Sequence, residues 1–202
     1  MRSAADRAKF KDLMEKYRIL LINAVHTDSE VETRYPNLGL AYLVSSVRKN
    51  IKDVEFEFRI IDSDIKKITD SFKPHIAGIT SVSQNYHIAL SYAQYLTDIN
   101  IPVILGGIHV SFLPNTVPEY VAAACIGEGE ASFSELINAF IKNDFDHATK
   151  NRIQGIVYWH EGRLITTSPR PVEANLDKIP LPARELLKIN PHAYMFTSRG
   201  CP

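Results

Sequence analysis

The sequence holds two cysteines in 202 residues, Cys125 and Cys201. That is too few for a disulfide framework, and they form no CxxC pair. No HExxH occurs either, so no metal site is complete within the chain. No GxGxxG follows the first apolar run and no GxxxxGK[ST] occurs anywhere, so the usual dinucleotide and nucleoside triphosphate readings fail. An excess of one charge is also missing: Lys+Arg and Asp+Glu stand at 23 each, without a long run of either sign. There is thus no electrostatic case for nucleic acid or an anionic membrane as partner. No apolar stretch reaches the roughly 18 residues of a membrane span. The N-terminus, MRSAADRAKFKDLMEKY, is charged throughout and lacks the apolar core of a secretory signal. With its scarce cysteine, the chain suits a reducing cytoplasm.

Hydrophobic residues make up 45% of the chain, enough at this length for a sizeable core. Residues 1–16 read as a polar lead-in. From there, short apolar runs alternate with amphipathic ones. RILLINAV (18–25), EFEFRIID (55–62), IAGITSVS (76–83), IPVILGGIH (101–109) and AAACIGEGE (122–130) read as strands. Residues 35–50, 64–74, 85–100 and 131–144 carry apolar residues at helical spacing, with Pro36 placed to start the first and Asn85 to cap the third. Five strand–helix alternations imply right-handed crossovers and a parallel sheet covered on both faces. The fold expected is α/β: a flavodoxin-like, Rossmann-like, doubly wound five-stranded sheet over 17–145. Residues 146–202 break the pattern. Residues 153–170 read as a β-hairpin turning at Gly162, and 171–196, with four prolines, as an extended linker with one short helix near 183–188.

In an open parallel sheet, ligands bind beyond the carboxyl ends of the strands. Four loops fall there. The first, 23–39, is long for a strand-to-helix connection and carries Asn23 and His26. The second, SVSQNY (81–86), offers Ser81 and Ser83 to a polar ligand or to helix capping. In the third, GGIHVSFLP (106–114), Gly106 and Gly107 permit close backbone approach, with His109 just beyond. The fourth, GEGEASF (127–133), pairs Gly127 and Gly129 with Glu128 and Glu130 at a helix N-terminus. Such a helix end favours phosphate, but two carboxylates oppose it and point to a neutral, amide-rich ligand. Cys125 reads as a small buried hydrophobe.

Taken in order, PNLGLAYLVSSVRKN, IAGITSVSQNYHIAL, IPVILGGIHVSFLPNTV and CIGEGEASFSELI resemble the N-terminal cobalamin-binding domain of radical S-adenosylmethionine enzymes. The resemblance covers roughly 18–145. LDKIPLPARELL is similar to the bridge from that domain to a catalytic barrel, and FTSRGCP to the entry of the barrel's cluster loop. It implies cobalamin as cofactor, contacted by the glycines and polar residues of the four loops, and in a full-length parent also a [4Fe–4S] cluster and S-adenosylmethionine. Cys201 matches the first cysteine of the CxxxCxxC cluster motif, whose other two would fall at 205 and 208. The expectation is the front part of a longer enzyme, inactive alone, with the barrel as its partner. Methyl transfer or related radical chemistry at carbon or phosphorus is the expected reaction of the parent. The DxHxxG motif by which other cobalamin proteins give a histidine to cobalt is incomplete: NAVHTDSE has His26 without the preceding Asp or the trailing Gly. His109 is the other candidate, as a contact at the corrin edge. Two alternatives stand beside this reading. One is a degenerate flavodoxin-like domain that packs on the barrel without cofactor. The other is a receiver or flavin-binding domain, for which LLINAV, GITSVS and HTDSEVETRYP are poor matches.

Overall fold

The computed structural model describes residues 16–33, 35–188, 195, 196 and 198. The lead-in 1–15 and Cys201 lie outside them. In chain order the strands and helices are β1 (Tyr17–Asn23), α1 (Glu30–Thr33), α2 (Leu38–Asn50), β2 (Phe56–Ile61), α3 (Ile65–Phe72), β3 (Ile76–Thr80), α4 (Tyr86–Asp98), β4 (Val103–Gly106), α5 (Ile108–Phe112), β5 (Ala123–Cys125), α6 (Gly129–Ile141), α7 (His147–Arg152), β6 (Ile156–His160) and β7 (Arg163–Thr166).

The period of two along each strand sorts its side chains onto two faces. Leu20, Ile22, Ala77, Ile79, Val103 and Leu105 point to one core, against α3, α4 and Val110 of α5. Ile19, Leu21, Ile76 and Ile104 point to the other, where α2 supplies Leu40, Val44 and Val47 and α6 supplies Phe133, Leu136 and Ile137. Burial on both faces explains why RILLIN and IAGI are continuous apolar runs rather than alternating ones. The sheet order is β2-β1-β3-β4-β5-β6-β7. β1 pairs in parallel with both β2 and β3, so the winding reverses between β1 and β3. At β3, Gly78 lets α6 dock: a Cβ there would lie 2.8 Å from Leu21 Cδ2 and 3.1 Å from Phe133 Cε2.

The sheet has seven strands, not five. β6 pairs antiparallel with β5, and β7 with β6, so the predicted hairpin extends the doubly wound sheet. The reason is burial. Val157 faces one core and Ile156 and Tyr158 the other, all fully buried. β5 would otherwise be an open edge of three residues. The hairpin turn is Glu161-Gly162, both at positive φ, as a two-residue primed turn requires.

Helix ends follow their side chains. Asn37, rather than Pro36, caps α2, its Oδ1 accepting from Leu40 N at 3.1 Å. Asn85 precedes α4 but makes no side-chain capping bond. Its amide instead donates to Glu32 Oε2 at 2.7 Å, tying the first loop to the third strand's exit. The short helix expected near 183–188 is a single 3-10 turn, Arg184–Leu186. This segment is clipped to the domain: Ala183 N donates to Ala41 O at 3.1 Å, Arg48 pairs with Glu185, and Lys188 with Asp62 at 2.9 Å.

His109 holds the loops after β3 and β4 together. Its ring is buried and stacks on Tyr86, with centroids 3.7 Å apart. Nδ1 and Nε2 lie 3.0 Å from Ser83 Oγ and Thr116 Oγ1 respectively. The Thr116 hydroxyl spends its proton on Leu113 O, at 2.7 Å, so it accepts from Nε2. The neutral Nε2–H tautomer, with Ser83 donating to Nδ1, satisfies all three groups. Burial pushes the His109 pKa below its usual 6.5.

Two outcomes follow from this packing. Gly78→Ala should cost about 1–3 kcal/mol, read as a lower urea midpoint at unchanged slope, because neither Leu21 nor Phe133 has room to retreat. For His109, the unfolded chain takes up a proton at a higher pH than the folded one. Stability should therefore be complete above pH 6.5 and fall as pH drops below it, toward the lower folded value, by at most about 1.4 kcal/mol per pH unit. His109→Gln should flatten that part of the stability–pH profile; an unchanged slope would show that His109 does not carry it.

Candidate functional site

The carboxyl ends of β3, β4 and β5 open into a cavity of about 250 Å3 on the α2–α6 side of the sheet. Its walls are Thr80 and the two glycine turns, with Tyr42 and Leu43 of α2 and Phe133 of α6. The glycines have different jobs. At Gly106 and Gly127 an added Cβ would meet nothing within 4 Å, so their backbone faces open space. Gly107 is demanded by close packing: it sits at φ +95°, and a Cβ would lie 2.5 Å from Thr80 Oγ1 and 2.6 Å from Ser81 O. Gly129 opens α6 where a Cβ would come 3.3 Å from Leu43 Cδ2.

Ser111 fastens the two turns to each other. Its hydroxyl donates to Gly107 O and accepts from Gly127 N, both at 2.9 Å. Glu128 and Glu130 place two carboxylates on the rim at the N-terminus of α6. Cys125 lines the cavity with a fully buried thiol that burial pushes up to about 12, so it acts as a small apolar group and not as a nucleophile. Beyond the cavity, the turns after β3 and β4 leave Val82, Ile108, Phe112 and Leu113 exposed.

A second, more polar cavity of about 400 Å3 lies beside the first, at the ends of β1 and β2, and Asn37 lines both. Asn23 faces it and accepts from Asn37 Nδ2 at 2.9 Å. Glu32 lines it too, accepting from His26 N at 2.9 Å, Gln84 Nε2 at 2.6 Å and Asn85 Nδ2 at 2.7 Å. These donors, led by the His26 backbone, hold its carboxyl below the usual carboxylate range. Lys188, bonded to Asp62, closes the far wall.

Of the residues the sequence offers, Gly106, Gly107, Gly127, Glu128 and Gly129 converge on the first cavity. Asn23 belongs to the second. Ser83 and His109 bond to each other, with no ring nitrogen of His109 left over, and neither lines either cavity. Ser81 is buried and supports Gly107 through its backbone, accepting from His109 N and donating to Gly106 O. His26 is exposed on the first loop. Sequence reasoning missed Ser111, Asn37 and Tyr42. Asn37 carried a signal, as a capping residue ahead of an apolar helix. Ser111 carried none, since Gly127, the partner that makes it a link between the turns, lies 16 residues on, beyond β5. Among the described residues, no group of three or more His, Cys, Asp or Glu side chains is arranged to hold a metal ion, and no helix is long and apolar enough to cross a membrane.

The model of the B12 binding domain family matches residues 27–137. An uncharacterized methyltransferase of Pyrococcus horikoshii is 36% identical over 213 aligned positions, which cover 94% of this chain and 44% of the relative. Among solved structures, the cobalamin-dependent S-adenosylmethionine radical enzyme OxsB with aqua-cobalamin and S-adenosylmethionine bound superposes with a TM-score of 0.63 at 19% identity. That match covers 87% of this chain and 25% of OxsB. The apo form gives 0.58, also at 19% identity and with the same coverage. At these identities the OxsB structures speak to the fold. The chain spans less than half the length of the curated relative and a quarter of OxsB. From the fold, the glycine-edged cavity at the strand ends and the match over residues 27–137, the chain belongs to the B12-binding domain family.

Proposed function

We propose that this chain binds cobalamin over the carboxyl ends of β3–β5 and serves as the cobalamin-binding part of a radical S-adenosylmethionine methyltransferase. The observation that carries the reading is the open space above Gly106 and Gly127, where an added Cβ would meet nothing within 4 Å. Cobalamin is a broad corrin fringed with neutral amides, and its groups suit what the edge offers. Glycine backbone permits close approach, Thr80 and Asn37 are polar partners, and Tyr42, Leu43 and Phe133 give apolar walls. Glu128 and Glu130 can accept from amide N–H groups while repelling phosphate. The cavity is smaller than pockets that enclose a whole drug-sized ligand, so it would hold one projecting part of the cofactor rather than all of it. When bound, cobalamin supplies a cobalt centre able to carry a methyl group and hand it on. Ser111 keeps the two glycine turns at fixed separation, and Cys125, protonated and buried, offers cobalt no thiolate.

The methyl-transfer assignment is supported by the curated relative's description as a methyltransferase, and the radical enzyme assignment by the OxsB fold together with SRGCP. In a longer protein Cys201 would be the first thiolate of a [4Fe–4S] cluster that binds S-adenosylmethionine. One cysteine cannot hold such a cluster, so catalysis is expected only from a chain that supplies the other ligands.

Mixed with hydroxocobalamin and desalted, the chain should retain corrin absorbance at near one per chain. Gly106→Leu should reduce retention by about tenfold or more, equivalent to about 1.4 kcal/mol, while leaving the unfolding midpoint little changed, since nothing packs where its side chain would go. A corrin lost from the wild-type chain, and lost again from a chain extended through the barrel, would overturn the reading in favour of a domain that binds no cofactor.

A further inference from the structure

His26 and His87 come from different elements, the loop after β1 and the first turn of α4, yet their rings are neighbours in space. The centroids are 5.6 Å apart and the planes tilted by 45°. Both residues are exposed, and neither lines the two cavities described above. A zinc ion sits about 2.0–2.1 Å from an imidazole nitrogen, hence about 3.2 Å from the ring centre. Two imidazoles on one ion at a tetrahedral angle therefore have centres about 5.2 Å apart, and at a trigonal angle about 5.5 Å. The observed 5.6 Å is about 0.1 Å beyond the wider of these, a difference that a small side-chain rotation closes.

The pair is also held in position. The His26 backbone is fixed on both sides, its N–H donating to Glu32 Oε2 at 2.9 Å and its carbonyl accepting from Ser29 N at 3.0 Å. Glu32 is in turn anchored by Gln84 and Asn85, in the turn that leads directly into His87. One carboxylate thus ties together the two segments that carry the rings. A second histidine pair among the described residues has a different geometry. His147 and His160 are parallel to within 5° at 3.8 Å, and His147 Nδ1 is engaged by Tyr158 OH at 2.9 Å, so their lone pairs do not converge.

We infer that His26 and His87 form a two-histidine site for a divalent transition-metal ion of the zinc, nickel or copper class, oriented by Glu32. Imidazole nitrogen suits these ions and excludes magnesium and calcium, which take oxygen ligands. Two coordination positions are left to water or to an outside ligand, so the site exchanges readily. Neither ring borders the glycine-edged cavity.

The test is zinc titration of the apo chain by calorimetry, with copper(II) electron paramagnetic resonance as the ligand count. Wild type should bind one ion per chain, and the copper spectrum should show coupling to two nitrogens. His26→Ala and His87→Ala should each weaken zinc binding by about tenfold or more, and Glu32→Gln by a smaller factor. His147→Ala should leave it unchanged. Far-ultraviolet circular dichroism of each variant establishes that it is folded. Zinc binding that is absent from the wild type, or that persists unchanged in both His26→Ala and His87→Ala, would overturn the inference. No corrin is present in the test, so its outcome is independent of the cofactor reading.

Discussion

The Ser111 hydroxyl joins the two glycine turns that end β4 and β5, donating to Gly107 O and accepting from Gly127 N. Gly107 and Gly127 both lie at positive φ, where the backbone is permissive and has no side chain to pack. A hydroxyl that bonds both main chains replaces the packing that glycine forgoes. The cost of an exposed, glycine-rich edge is thus met from below, by Ser111 on α5, and the surface above Gly106 and Gly127 stays clear. α5 is itself held in place by His109, whose two nitrogens reach Ser83 and Thr116. The order of dependence runs from His109 to α5, from α5 to Ser111, and from Ser111 to the two turns.

This arrangement explains why the strand-end glycines were legible in the sequence and the histidines were not. Glycine at a strand exit has a small set of uses, all of which involve the backbone, and the backbone position follows from the strand. The pairs at 106–107 and at 127 and 129 therefore led directly to the cavity. Histidine has many uses, and which one applies depends on what lies opposite in space. His109 looked available because it follows Gly-Gly at a strand end. It is instead satisfied by Ser83, 26 positions earlier, and Thr116, seven positions later. The same serine, offered by the sequence as a ligand contact or a cap, has its hydroxyl on His109 Nδ1.

The parallel core was legible because runs such as RILLIN carry β-branched and apolar residues on both faces, which only a doubly covered strand tolerates. The two added strands were recognised as a hairpin but not as part of the sheet. Alternation in IVYWH and RLIT fixes local pairing, while the choice to join β5 depends on β5 being three residues long with an unprotected edge. Similarly, the proline-rich segment after the hairpin reads as an extended linker, whereas it is clipped to α2 by Ala183 and Glu185 and to Asp62, just past β2, by Lys188. These partners lie over a hundred residues away, so sequence spacing gives no hint of them.

The acidic rim at the start of α6 separates this edge from the phosphate cradles that similar sheets build at glycine-rich turns. A helix N-terminus offers unpaired N–H groups and a positive dipole end, which attract an anion. Here Glu128 and Glu130 already supply that negative charge, and Gly127 N is taken by Ser111. An anionic ligand would meet two carboxylates and find one of the usual donors occupied. A ligand with amide donors meets the opposite situation, since the carboxylates accept from it and the glycine backbone lets it come close. The charge at this one helix end therefore selects between two ligand classes that the fold alone would admit equally, and it favours the neutral, amide-fringed one.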